Sequence, residues 1–194
     1  MTIWTVRIIL IMKTRRDDIM KTAYDLMGTK GLESVHARTV ASELSINHAT
    51  VHYYFPTRAD LLVGVADFAL TQFQSDRARF HDGLTSAADK IEGELALAEA
   101  YCKKNSRFAK VLAGLYVASI EHTALKKKMQ ALWNEWQALN AELTTSAKLK
   151  KGTPYVDGEL LTATLFGFAL TSHLTDGSFD ARGKIDEVFA SMFG

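Results

Sequence analysis

Apolar residues recur at three- and four-residue steps along this chain, and the steps define its elements. Ile19, Met20, Ala23, Leu26 and Met27 share one face of a helix over Arg15 to Thr29, and Gly31 supplies its C-terminal stop. Val40, Ala41 and Leu44 mark a short helix that starts near His36. Ser45-Ile46-Asn47 reads as a tight turn with Ile46 directed at the core. Asn47 is a strong N-cap for a second short helix, Ala49 to Tyr54, because its side-chain oxygen can accept from free first-turn amides. Pro56 ends that helix, since the residue before a proline is pushed out of helical geometry. Thr57 caps the next helix, which runs from Arg58 to about His81 on a stripe of Leu61, Leu62, Val65, Phe68, Ala69 and Phe73.

Residues 84–194 read as helix throughout. Ala87 to Cys102, Phe108 to Tyr116 and Leu125 to Leu143 each carry an apolar stripe, and residues 148–154 form a loop. Leu160 to Leu174 is apolar nearly all round, which requires burial on every side. Ile185, Val188, Phe189, Met192 and Phe193 make a last amphipathic helix. The pattern predicts an all-α fold. An N-terminal three-helix helix-turn-helix domain is joined by a continuous helix to a larger helical domain. The boundaries are 13–73, with the helix-turn-helix at 36–55, and 74–194. A helix buried on every side, so near the chain end, predicts a two-fold dimer with two helices from each subunit in a four-helix bundle. Its face is expected to include Leu161, Leu165, Phe168, Ile185 and Phe189.

The run Val40-Ala41, Ile46-Asn47 and Val51 to Leu61, with its Tyr53-Tyr54-Phe55-Pro56-Thr57-Arg58 ending, resembles the DNA-binding domain of the TetR family of transcriptional regulators. The likeness is specific over Lys13 to about Phe73 and architectural beyond. Ser45 stands where the family's turn usually has Gly, which predicts mild backbone strain. His52 stands where Tyr is usual, and His36 where Thr is usual. The resemblance implies a recognition helix in the major groove. Base-edge contacts are expected from His48, Ala49 and Thr50, with Ala49 and the Thr50 methyl able to meet a thymine methyl. Phosphate contacts are expected from Arg38, Thr39, His52, Tyr53 and Arg58, and further ones from Arg15 and Arg16. Of Tyr54 and Phe55, at least one is expected in the core.

Charge refines this picture. The 194 residues carry a net +1, so no global field steers a polyanion. Lys13 to Asp60 is itself almost balanced, which predicts weak, salt-sensitive binding by a monomer and a need for dimerisation. His48 and His52 on the DNA face predict tighter binding as pH falls from about 8 to 6.

The single Cys102 excludes an intrachain disulfide and suits a reducing cytoplasm. Residues 1–12, Thr-Ile-Trp-Thr-Val-Arg-Ile-Ile-Leu-Ile-Met after Met1, are too short for a membrane span and lack the features of a signal peptide. They read as an extension, either a misassigned start with Met12 native or a β-branched arm.

No phosphate-binding glycine loop, CxxC, HExxH or nucleophile–base set occurs, so no enzyme, cofactor or metal site is expected. The six histidines are read as lacking ligand spacing. Large side chains do gather in the predicted second domain: Phe68, Leu112, Tyr116, Met129, Trp133, Trp136, Phe166, Leu170 and His173. The TetR resemblance implies that this is an effector-binding and dimerisation domain and that these residues line its effector pocket, mostly apolar with a few polar groups. The expected function is a ligand-responsive repressor, a cytoplasmic homodimer on a near-palindromic double-stranded DNA operator, released by a small apolar or aromatic effector. The alternatives are an activator of the same fold, or a helical-bundle enzyme or ligand-sequestering protein.

Overall fold

The computed structural model describes residues 3–103, 106–146, 158–174 and 180–193, and the side chains of His173 and Phe189 lie outside the described residues. The described residues form nine α-helices and one 3-10 turn. These are α1 (Ile3–Lys30), α2 (Ala37–Glu43), α3 (His48–Tyr54), α4 (Arg58–His81), α5 (Ala87–Cys102), α6 (Arg107–Ser119), α7 (Thr123–Ser146), α8 (Gly158–Leu174) and α9 (Ala181–Phe193), with the 3-10 turn Leu32–Ser34 between α1 and α2. None of these helices is long and apolar enough to cross a membrane.

α1 begins at Ile3, well ahead of the expected Arg15. Residues 3–12 are thus continuous with the helix. No Gly or Pro occurs from Ile3 to Met27 to stop it. Its end is as expected: Gly31 takes φ +84 and its amide donates to Met27 O at 3.0 Å.

The chain divides into two units. The first holds residues 1–71 and 110–129, the second residues 72–109 and 130–194. α4, α6 and α7 each contribute to both.

In the first unit, Ile19, Ala23, Leu26 and Met27 of α1 are buried with Val40, Ala41, Val51, Phe55, Leu61, Leu62 and Val65. Phe55 is the central plug. It fills the space beside Gly64, where a Cβ would lie 2.6 Å from its ring. The Arg16 guanidinium sits 5.2 Å from the ring centroid on another side. Val111, Leu112, Leu115 and Leu125 are buried too, and a Cβ on Gly114 would lie 3.3 Å from Met27 Sδ. Lys128 pairs with Asp67 at 2.8 Å.

In the second unit, α5, α8 and α9 pack on one another. Phe73 lies 5.5 Å from Trp136 and 6.2 Å from Phe108, and Tyr101 stacks on Phe108 at 4.2 Å. Buried Asn140 donates to Thr162 Oγ1 at 2.7 Å. Leu161, Leu165 and Ile185 are 1%, 5% and 0% exposed. They are sealed inside this subunit, so the expectation that they line an interface is corrected. The outward side of α8 is instead Leu160, Ala163, Thr164, Gly167 and Thr171, and a Cβ on Gly167 would meet nothing within 4 Å. Phe168 is half-buried against the Cys102, Ala109, Ala169 and Ala181 cluster, again facing inward.

Candidate nucleic-acid interface

The turn between α2 and α3 is a Schellman motif, in which two carbonyls left over at a helix end are satisfied by the next two amides. Ile46 N donates to Ala41 O at 2.9 Å and Ser45 N to Ser42 O at 3.2 Å. The geometry demands a left-handed residue at its centre, and Ser45 supplies it at φ +52. Ile46 is half-buried beneath the turn. Asn47 then caps α3, its side-chain oxygen accepting from Ala49 N at 2.9 Å.

Phe55 is extended at φ −137 before Pro56, which ends α3. Thr57 and Asp60 close a reciprocal cap on α4: Asp60 N donates to Thr57 Oγ1 at 3.1 Å and Thr57 N to Asp60 Oδ2 at 3.0 Å. Each end of α3 is thus fixed by local bonds, and Val51 and Phe55 anchor it to the core.

That anchoring leaves the opposite face to solvent. His48, Ala49, His52 and Tyr53 are exposed, Tyr53 at 69%, and Thr50 is half-buried. Tyr54 is half-buried with its ring 5.1 Å from that of Tyr53, and Phe55 is the core residue of the pair. His48 and His52 stand one turn apart, their ring centroids 6.0 Å from each other. His52 Nδ1 lies 3.3 Å from Pro56 O.

Beside α3 lies a cavity of about 470 Å³ lined by His36, Ala37, Arg38, Thr39, His52, Phe55, Thr57, Arg58 and Leu61. Its polar rim carries Arg38, Arg58, His36, His52, Thr39 and Thr57 without a carboxylate, which suits a phosphate oxygen. Four expected phosphate contacts, Arg38, Thr39, His52 and Arg58, meet there, while Tyr53 stands outside it on the exposed face of α3.

Arg58 Nε donates to Val35 O and its Nη2 to Leu32 O, both at 3.1 Å, with Glu33 at 3.6 Å. The guanidinium is turned onto the 3-10 turn and braces it against α4. These bonds give Arg58 a bracing role, and its side chain also lines the groove.

Arg15 and Arg16 lie near Asp18 at 3.9 Å and Asp67 at 3.8 Å. Lys21 and Lys30 also have acidic partners. Arg38 has no acidic partner among the described residues, so its charge is not locally cancelled. His36 and Thr57 are rim residues that sequence reasoning left out of the contact set. Their signal was positional: one precedes α2 and the other α4, and both helices start at the same groove.

The expected effector residues divide between the units. Phe68, Leu112, Tyr116 and Met129 belong to the first. Phe68 contacts the Tyr24 ring at 5.1 Å, and Tyr116 is 57% exposed. Trp133, Trp136, Phe166 and Leu170 belong to the second, where Trp133 and Phe166 meet edge-on at 6.3 Å.

Residues 19–65 match the model for bacterial regulatory proteins of the tetR family. Over 155 residues, 79% of each chain, the protein is 21% identical to the nucleoid occlusion factor SlmA of Vibrio cholerae. A transcriptional regulator from Saccharomonospora viridis, solved with choline, superposes with a TM-score of 0.74 at 18% identity, covering 92% of this chain and 96% of that one. The multidrug binding protein EbrR, solved with imidazole, superposes at 0.64 and 20% identity over 92% and 90% of the two chains.

Proposed function

We propose, for a chain whose N-terminal domain belongs to the tetR family of bacterial regulatory proteins, that it is a cytoplasmic repressor. It acts as a homodimer on a near-palindromic operator and is released by a small apolar or aromatic effector. The observation that carries the DNA-binding part is the double anchoring of α3. With Val51 and Phe55 held inside, His48, Ala49 and Thr50 are presented toward base edges. The groove of His36, Arg38, Thr39 and His52 is presented to the flanking phosphates. In a dimer the two recognition helices enter successive major grooves, about 34–36 Å apart.

Selection of bound sequences from a random duplex pool tests this, followed by binding measurements on the recovered site. Arg38→Ala is expected to weaken all sequences alike and lower the salt slope by about one, whereas Thr50→Ala relaxes preference at one base pair. Recovery of no enriched sequence from a folded protein at low salt refutes the reading.

Dimerisation is proposed through the outward side of α8. Gly167→Trp adds bulk where a Cβ meets open space, so it leaves the subunit folded and splits the dimer. Sedimentation reads the outcome, and an undisturbed dimer refutes that face. The effector is proposed to lie against Trp133, Trp136, Phe166 and Leu170 of the second unit. The choline bound to the Saccharomonospora viridis protein and the imidazole bound to EbrR support a small ligand in proteins of this fold. The ligand acts only by its differential affinity for DNA-competent and incompetent arrangements.

A further inference from the structure

His48 and His52 stand at i and i+4 on α3, so both side chains leave one face of the helix. Both are exposed, their centroids are 6.0 Å apart and their planes are at 85°. A metal–imidazole bond of about 2.0–2.1 Å puts a ring centre about 3.2 Å from the ion, so a separation of 6.0 Å is within the span of two rings on one ion. A small rotation of either exposed side chain narrows the angle at the ion toward the tetrahedral value.

The second observation concerns the inner nitrogen of one ring. His52 Nδ1 is 3.3 Å from Pro56 O. Donation to that carbonyl puts the neutral ring's proton on Nδ1 and turns the Nε2 lone pair outward. A backbone carbonyl that fixes the tautomer is the usual support behind a metal-bound imidazole.

We propose that His48 and His52 together chelate one divalent transition-metal ion, Zn²⁺, Ni²⁺ or Cu²⁺, through their outward ring nitrogens. Waters complete the coordination. Imidazole pairs suit these borderline ions, whereas Ca²⁺ and Mg²⁺ ask for oxygen ligands. No third His, Cys, Asp or Glu joins them in a cluster among the described residues, so the site is open and exchangeable. Arg38 and Arg58 share the neighbouring groove with His52 and oppose the added charge. The Arg58 charge is partly offset by Glu33 at 3.6 Å. The site does not depend on whether α3 reads DNA.

Isothermal titration of the full, DNA-free chain with NiCl₂ and ZnCl₂ tests the assignment. His48→Gln, His52→Gln and His36→Gln are the variants, and far-UV circular dichroism confirms that each keeps its helix content. The expected result is saturable uptake by the wild type, roughly tenfold or more weaker in either of the first two variants. Uptake by His36→Gln is expected to match the wild type. Absence of saturable uptake in the wild type, or equal uptake in His48→Gln, overturns the proposal.

Discussion

Replacing Ser45 by Gly is expected to stabilise the protein, although it deletes a side chain and adds freedom to the unfolded chain. Ser45 occupies the left-handed region at φ +52, between two amides already committed to Ala41 and Ser42. An L-residue there costs about 1–2 kcal/mol from the approach of Cβ to the following carbonyl. Glycine removes that cost but loses about 0.5–1 kcal/mol more conformational entropy on folding. The Ser45 side chain is exposed, so its removal sacrifices no packing. The difference is a gain of about 0–1.5 kcal/mol, centred near 0.8. With a urea dependence of about 2 kcal/mol per molar, the midpoint rises by about 0.4 M at the centre of that range. Urea unfolding followed by circular dichroism measures it. Ser45→Ala is the control, because alanine keeps the Cβ and gains nothing. A midpoint that falls in Ser45→Gly, or that rises equally in both variants, refutes the strain argument.

Three further outcomes follow from named contacts. Arg58→Ala removes two charge-assisted bonds to Leu32 and Val35 carbonyls and should cost about 2 kcal/mol in thermal or urea unfolding. Arg58→Lys should not restore it, since an ammonium has no fork to span both oxygens, and full recovery by lysine would contradict the bracing role. Gly158→Ala would drive a Cβ into the backbone of Gln137 and Ala141 where α8 crosses α7, so a loss of about 1–3 kcal/mol is expected, and unchanged unfolding would contradict that close approach. Burial pushes the Cys102 thiol up to about 11, outweighing a hydrogen bond from Ser172. The neutral thiol is the favoured folded form, so its contribution is intact below the ordinary thiol range of about 8.5 and fades as pH climbs toward 11. Cys102→Ala should flatten that part of the stability profile, and identical slopes would rule the thiol out as its cause.

The helix-turn-helix was legible because its signals are local. Asn47 bonds two residues along, Thr57 and Asp60 bond across three, and Pro56 acts on its immediate neighbour. Each is a property of a tetrapeptide and survives without knowledge of the rest of the chain. The bracing role of Arg58 was not legible because its partners are 23 and 26 residues away. Nothing beside it in sequence says whether the guanidinium turns inward to Leu32 and Val35 or outward to a phosphate. The groove has the same character. His36, His52 and Arg58 become neighbours only once Phe55 has drawn α3 and α4 onto α1.

α8 sets a different limit. Periodicity assigns faces by contrast between polar and apolar positions, and Leu160 to Leu170 offers almost none. Burial on every side is not met within the subunit, where Leu160 is 53% exposed, and the pattern could not say which side the subunit covers. The structure divides it: Leu161, Leu165 and Ala169 face inward, and Leu160, Ala163, Thr164, Gly167 and Thr171 face out. The inward set carries the bulk and the outward set is mostly small. That ordering fits the packing physics. A core among α5 and α9 is filled by large side chains, whereas small side chains at 163 and 167 would let a second helix backbone come close. Sequence reasoning chose the largest residues of α8 for the interface. Size is the mark of the subunit's own core here, and closeness of approach, marked by Gly167, is the better guide to where a second copy would sit.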